Sequence, residues 1–354
     1  MTDKVTFPQL GNYNIAFEYI FNYGMGLEYV KPPKMTDKTL EIGSKYSPDS
    51  VCVPFKFMLG NYIESIEKGA KILVSVGGVC ILGYYGELHE QIIRDLGYNV
   101  RFVNFAQSRF AKPSSWYDKF KALNPDMSLV KIGEVLPIAI KMIEYIDIAE
   151  DYLRSNLGFE VEEGSFDKIF DNYLEGMRNV KNRKELKQHH KKYMKLFEEV
   201  KVNKPQNPLK VAIVGEYYTI MQPFSNHFME KWLVNKGIEV KRWMNLTNSI
   251  IDRPEKEVKK HINNYAKYDM GATSMYTIGT ALKCAKKGYD GIIHIKSAGC
   301  MPEIDTMTVL QNISKDYKIP ILYISFDSQT SDIGLETRLE AFYDMIMMRK
   351  EKII

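Results

Sequence analysis

The chain has 354 residues, 45% of them hydrophobic and 26% charged, with a formal net charge of +4. That length accommodates two domains and a third helical piece, and the composition is that of an ordinary globular protein. So small and dispersed a charge gives no ground for a nucleic-acid binder, and the basic run over 181–204 reads as a solvated helix face. No stretch reaches the ~18 apolar residues of a membrane helix, and the opening MTDKVTFPQLGNYN lacks the charged-then-apolar order of a signal peptide. A cytoplasmic protein is expected, where the four cysteines stay reduced and read as core thiols or metal ligands rather than disulfides.

Taken in order, Asn14 to Tyr23 predicts a helix and Gly26 to Val30 a strand stopped by Pro32-Pro33. Thr36 to Tyr46 has some helical character. Ser47 to Pro54 reads as a turn or short extended stretch carrying Cys52, followed by a helix over Phe57 to Lys68. The apolar run Ile72 to Val76 predicts a buried strand, broken by Gly77-Gly78, with Cys80 next and a helix from Glu87 to Leu96. Asn99 to Val103 is a further strand. From about 113 strand signals vanish, and helices are predicted over Leu129–Leu157, Ser165–Val180 and Arg183–Val200, ending at the linker Lys204 to Pro208.

After the linker the alternation returns. Strands are predicted at Leu209–Val214, Ile238–Arg242, Gly291–Lys296 and Pro320–Ser325. Helices are predicted at Pro223–Asn235, Met275–Lys287, Pro302–Tyr317 and Leu335–Met348. The two α/β segments line up as an internal repeat: Lys68-Gly69-Ala70, strand and Cys80 parallel Lys287-Gly288-Tyr289, strand and Cys300. The expected fold class is therefore α/β: two truncated Rossmann-like parallel-sheet domains facing a cleft, plus a helical insertion or third domain. The boundaries expected are 1–112, 113–207 and 208–354.

In such sheets ligands bind where strands end and helices begin, and both Cys80 and Cys300 fall there. A helix start favours thiolate, the form that binds metal. The helix after Cys52 runs back along the sheet, so its beginning lies at the rim that carries Cys80, and three sulfurs can converge. Cys284, near the end of the helix before the Cys300 strand, is roughly 20 Å away along ~3.3 Å per strand residue, and reads as a small buried hydrophobe. Three thiolates without a fourth protein ligand suit an iron–sulfur cubane with one open iron. The alternatives are zinc, which wants a fourth ligand that neither His89 nor His294 is placed to give, and three unrelated buried thiols.

Gly77-Gly78 and Ser297-Ala298-Gly299 either present backbone N–H groups to an anion or simply turn the chain. Tyr84 and Tyr85 line the cleft or pack. Glu303 and Asp305, in the first turn after Cys300, complement the helix dipole, and Glu303 also comes within reach of the cleft. Tyr84 and Glu303 are the candidate catalytic residues. There is no GxxxxGK[ST] loop and no GxGxxG, so this chain is not expected to bind ATP or NAD itself.

Several motifs together, Tyr46-Ser47-Pro48 with Cys52-Val53-Pro54-Phe55-Lys56, Gly77 to Glu87 around Cys80, Gly299-Cys300-Met301-Pro302-Glu303 and the tail Asp327-Ser328-Gln329-Thr330 with Gly334 to Phe342, resemble the 2-hydroxyacyl-CoA dehydratase component D family. The resemblance is to its branch of acyl-CoA dehydratase activase-related (CoA-protein activase) proteins, near the double-cubane cluster proteins. It implies Cys52, Cys80 and Cys300 as ligands of a 4Fe-4S cluster, or of an 8Fe-9S double-cubane cluster. It also implies a homodimer and an electron donor, an ATP-dependent iron–sulfur reductase of the actin-like ATPase class. In that family the electron turns a CoA thioester into a ketyl radical, so the expected function is reduction or radical dehydration of a small substrate. The alternatives are a non-catalytic electron-transfer or cluster-carrier partner of the ATPase, or a zinc-bound or metal-free scaffold. Two departures stand out: Val79-Cys80-Ile81 replaces the Pro-Cys-Arg of relatives, which removes a positive charge beside the cluster, and this single short chain carries no second subunit, so a heterodimeric dehydratase is not inferred.

Overall fold

The computed structural model describes residues 3–75, 84–105, 114–252, 254–271 and 273–352. The chain divides into two compact units. The first comprises residues 1–146 and 171–194, the second 147–170 and 195–354. The helices of the middle segment are apportioned between the two.

In the first unit, β1 (Lys4–Thr6), β2 (Glu28–Tyr29), β3 (Ile72–Ser75) and β4 (Arg101–Asn104) form a parallel sheet in the order β2-β1-β3-β4. Side chains alternate across β3. Ile72 and Val74 pack with Val5, Phe21 and Val103 on one face. Leu73 packs with Phe55, Leu59 and Tyr62 on the other. The helices here are α1 (Asn14–Tyr19), prolonged by a π-turn over Ile20–Gly24, then α2 (Asp37–Tyr46), α3 (Val53–Glu67), α4 (Tyr85–Asp95) and α5 (Ser114–Leu123).

Two glycines let α2 and α3 cross closely. A Cβ on Gly43 would sit 1.8 Å from the Lys56 carbonyl oxygen, and one on Gly60 1.9 Å from that of Thr39. The expectation placed the start of α3 at Phe57; it begins at Val53 instead. Pro54 occupies the first turn, where its missing N–H costs nothing, and Cys52 is therefore the residue that caps the helix rather than part of a loop.

Then follow α6 (Leu129–Asn156), α7 (Ser165–Arg178) and α8 (Arg183–Glu199). In the second unit, β5 (Leu209–Gly215), β6 (Ile238–Arg242), β7 (Gly291–Ser297) and β8 (Ile321–Phe326) make a parallel sheet in the order β6-β5-β7-β8. This is the strand order of the first unit, so the internal repeat read from the sequence is a repeat of topology. Its helices are α9 (Tyr217–Met221), α10 (Met229–Asn235), α11 (Glu255–Ile262), α12 (Ser274–Lys286), α13 (Met301–Tyr317) and α14 (Asp332–Glu351). Ala212, Val214 and Ile292 pack against Ile278, Leu282 and Leu310 of α12 and α13.

The single helix expected over Pro223–Asn235 is broken. A 3-10 turn at Pro223–Asn226 is followed by His227 and Phe228 at φ 54° and 55° before α10 starts. Buried Asn226 imposes the break: its amide donates to the Thr219 and Ile220 carbonyls, and its Oδ1 accepts from Met229 N. Among the described residues no helix is long and apolar enough to cross a membrane.

Candidate functional site

In a βα repeat each helix returns antiparallel to its strand, so helix starts gather at the carboxyl edge of a parallel sheet. In the first unit Cys52 stands immediately before α3 with extended backbone (φ −67°, ψ 153°), and its thiol is half-buried. Its Sγ is hydrogen-bonded to the Tyr85 hydroxyl at the start of α4. The Tyr85 ring meets Phe55 edge-on at 5.2 Å and His89 at 6.0 Å, so aromatic packing fixes the hydroxyl that touches the sulfur. Cys80, in the segment between β3 and α4, lies outside the described residues, as do Gly77 and Gly78. Tyr84 precedes α4 and is 71% exposed.

In the second unit Cys300, the counterpart of Cys80 in the repeat, stands half-buried before α13 (φ −78°, ψ 95°). Its N–H donates to the Ser297 carbonyl at 3.0 Å, and its own carbonyl accepts from Ile304 N at 3.0 Å. The tight turn Ser297-Ala298-Gly299 thus delivers the cysteine straight from β7 to the helix.

Behind Cys300 lies a polar layer that sequence reasoning did not assemble. Register places Val214, His294 and Tyr323 side by side on β5, β7 and β8. His294 and, two residues on, Lys296 therefore point to the face covered by α12 and α13. Glu303 does not reach outward as expected but turns inward and is fully buried. Its carboxylate accepts from His294 Nε2 at 2.7 Å, from the Thr277 hydroxyl at 3.0 Å and from the Thr273 hydroxyl. A buried carboxylate is tolerable only with such a set of donors. The carboxylate only accepts, so His294 Nε2 is the donor, and among the described residues Nδ1 has no partner.

Two further charged groups border this layer. Lys296 is 6% exposed and donates weakly to the Ala298 carbonyl. Burial pushes its pKa down, against the opposing pull of Cys300 and Glu303. Glu216 caps α9, accepting from Tyr218 N, Thr219 N and the Thr219 hydroxyl. Burial raises its pKa above the usual carboxylate range, opposed by those hydrogen bonds and reinforced by Glu303.

Cys284 is buried in the apolar cluster of α12, before β7 rather than after it. Burial lifts its thiol to about 11, the environment of an inert core cysteine. His89 is fully buried, its Nε2 on the Phe55 carbonyl at 3.0 Å, and so is spent within the core. Among the described residues no three His, Cys, Asp or Glu side chains are gathered as a metal site. His294 was legible only as a strand residue, and Thr273 and Thr277 carried no signal; the polar break that His294 and Lys296 make in an otherwise apolar strand was the available clue.

No family model and no curated protein matches the chain. Among solved structures it is similar to one described as "Crystal structure of ZnuA", with 9% identity over 97% of this chain and 98% of that chain and a TM-score of 0.23. A superposition that low carries no argument, and the α/β assignment rests on the two parallel sheets themselves.

Proposed function

We propose that this chain is an iron–sulfur protein of the cytoplasm that receives low-potential electrons from an ATP-dependent reductase of the actin-like ATPase class and passes them to a small substrate. Acyl-CoA is the substrate class implied by the family resemblance, and a homodimer is the assembly it implies. The ligands assigned are Cys52, Cys80 and Cys300. The single observation that favours this reading is that Cys52 and Cys300 share half-burial and a helix start, each in its own unit, whereas Cys284 is sunk in apolar core.

The donor chemistry fits such a group: thiols at helix starts are placed where thiolate is favoured, and a hydrogen bond to a ligating sulfur, as from Tyr85 to Cys52, is the sort that tunes a cluster. A bound 4Fe-4S cluster, or its 8Fe-9S relative, would supply one-electron transfer at low potential. The chain's own part is to orient the sulfurs, to keep Tyr85 against one of them and to hold the start of α13 rigid. Tyr84, exposed beside α4, is the residue assigned to contact substrate.

The test is anaerobic mixing with such a reductase and ATP, followed by EPR. The reading expects an ATP-dependent reduced-cluster signal together with consumption of a substrate. No ATP-dependent signal contradicts it; a signal without any substrate turnover favours the carrier role.

A further inference from the structure

A cysteine is a poor helix cap. Ser, Thr, Asp and Asn hold a helix start because their oxygens accept the free N–H groups of the first turn, and Cys300 makes no such side-chain bond. The usual remedy is a glutamate three residues on, reaching back to the N–H of the capping residue. Glu303 stands at that position but is used otherwise. The Cys300 N–H is already taken by the Ser297 carbonyl, and the Glu303 side chain turns in to His294 of β7, Thr277 of α12 and Thr273 at the head of α12.

The first turn of α13 is thereby tied to the central strand and to the neighbouring helix at once. An apolar side chain would have served a core that only needed filling, without the cost of burying a carboxylate. What the costlier arrangement adds is direction. Three hydrogen bonds fix the rotation and height of the turn whose preceding residue is Cys300.

We propose that Glu303 is a positioning residue for Cys300, setting where that sulfur points through the bonds to His294, Thr273 and Thr277. The value of this to a bound cluster rests on the reading that Cys300 is a ligand; the hold on the thiol itself does not.

The experiment compares wild type with Glu303→Met, Glu303→Gln and Thr277→Val. In metal-free protein, alkylation of Cys300 is followed by peptide mass spectrometry, with Cys52 in the other unit as internal reference. In anaerobically reconstituted protein, the EPR signature of the reduced cluster is recorded. Glu303→Met is expected to change the Cys300-to-Cys52 rate ratio fivefold or more and to alter the EPR line shape. Glu303→Gln, whose amide can accept from His294 and donate to the threonines, is expected to stay within twofold and keep the wild-type signature.

A folded Glu303→Met protein with an unchanged ratio, whatever its melting temperature, overturns the proposal and leaves Glu303 a stabilising residue only. Should that variant not fold, Thr277→Val decides: a two- to threefold change in the ratio supports the proposal and an unchanged ratio refutes it. Wild type that takes up no iron would defeat the ligand reading of Cys300 while leaving the alkylation comparison to judge Glu303.

Discussion

Acidification should weaken the first unit through one imidazole. His89 is fully buried, stacked on Phe55 at 3.9 Å and edge-on to Tyr62 at 5.5 Å. Its Nε2–H donates to the Phe55 carbonyl and its Nδ1 faces no acceptor among the described residues. A proton added at Nδ1 would be a buried charge without a partner, and burial accordingly depresses the pKa from 6.5 to about 4. In the unfolded chain the ring takes its proton near 6.5, so between pH 6.5 and 4 the unfolded state binds more protons and stability falls with pH. The contribution is complete above pH 6.5, is reduced by about 2 kcal/mol at pH 5 and levels off below pH 4 after a loss of about 3 kcal/mol. Urea unfolding at pH 7.5 and pH 5 on wild type and His89→Gln isolates this term, because carboxylates and the similarly depressed His190 are common to both. Wild type should lose ~2 kcal/mol more than the variant. Equal losses, or an NMR titration of His89 near 6.5, would refute the reasoning.

Two further substitutions probe the framework around the cysteines. Gly43→Ala puts a Cβ into the Lys56 carbonyl and must spread α2 from α3, which should cost about 1–3 kcal/mol and show as a lowered urea midpoint. Cys284→Ser places a hydroxyl among Ile278, Leu282 and Leu310; it should destabilise by about 1–3 kcal/mol while leaving iron content as in wild type, and a loss of iron would make Cys284 a ligand after all.

The alternation of apolar runs with helical spacing makes the parallel α/β architecture legible, and the parallel of Lys68-Gly69-Ala70 with Lys287-Gly288-Tyr289 shows the internal repeat, whose strand order only the structure gives. What escaped was short or non-local. Strand β1 has three residues, Lys4–Thr6, too few for any period to emerge. The break at His227 and Phe228 depends on where the Asn226 amide finds acceptors, which no local pattern encodes. The start of α3 differs from the expected Phe57 because Pro54, placed by the sequence in a turn, sits in the first helical turn, where proline is welcome. At the candidate site, Cys300 at a helix start is readable from strand, glycine and cysteine in sequence, whereas Cys52 is read in a turn and stands directly before α3. The Glu303–His294–Thr277 layer is not readable, since it joins residues of β7, α12 and α13 that become neighbours only when the sheet is covered. Glu303 was singled out for its place in the first turn; its direction is set by donors invisible at that distance along the chain.

The central claim is that three particular sulfurs of this chain anchor one iron–sulfur group. The most direct measurement is iron and acid-labile sulfide per chain after anaerobic purification, made on wild type and on the four single Cys→Ser variants. The account predicts about four irons per chain for one cubane in wild type and in Cys284→Ser, with loss in Cys52→Ser, Cys80→Ser and Cys300→Ser. Iron-free wild type after reconstitution, or full iron retention in any of those three variants, would contradict it.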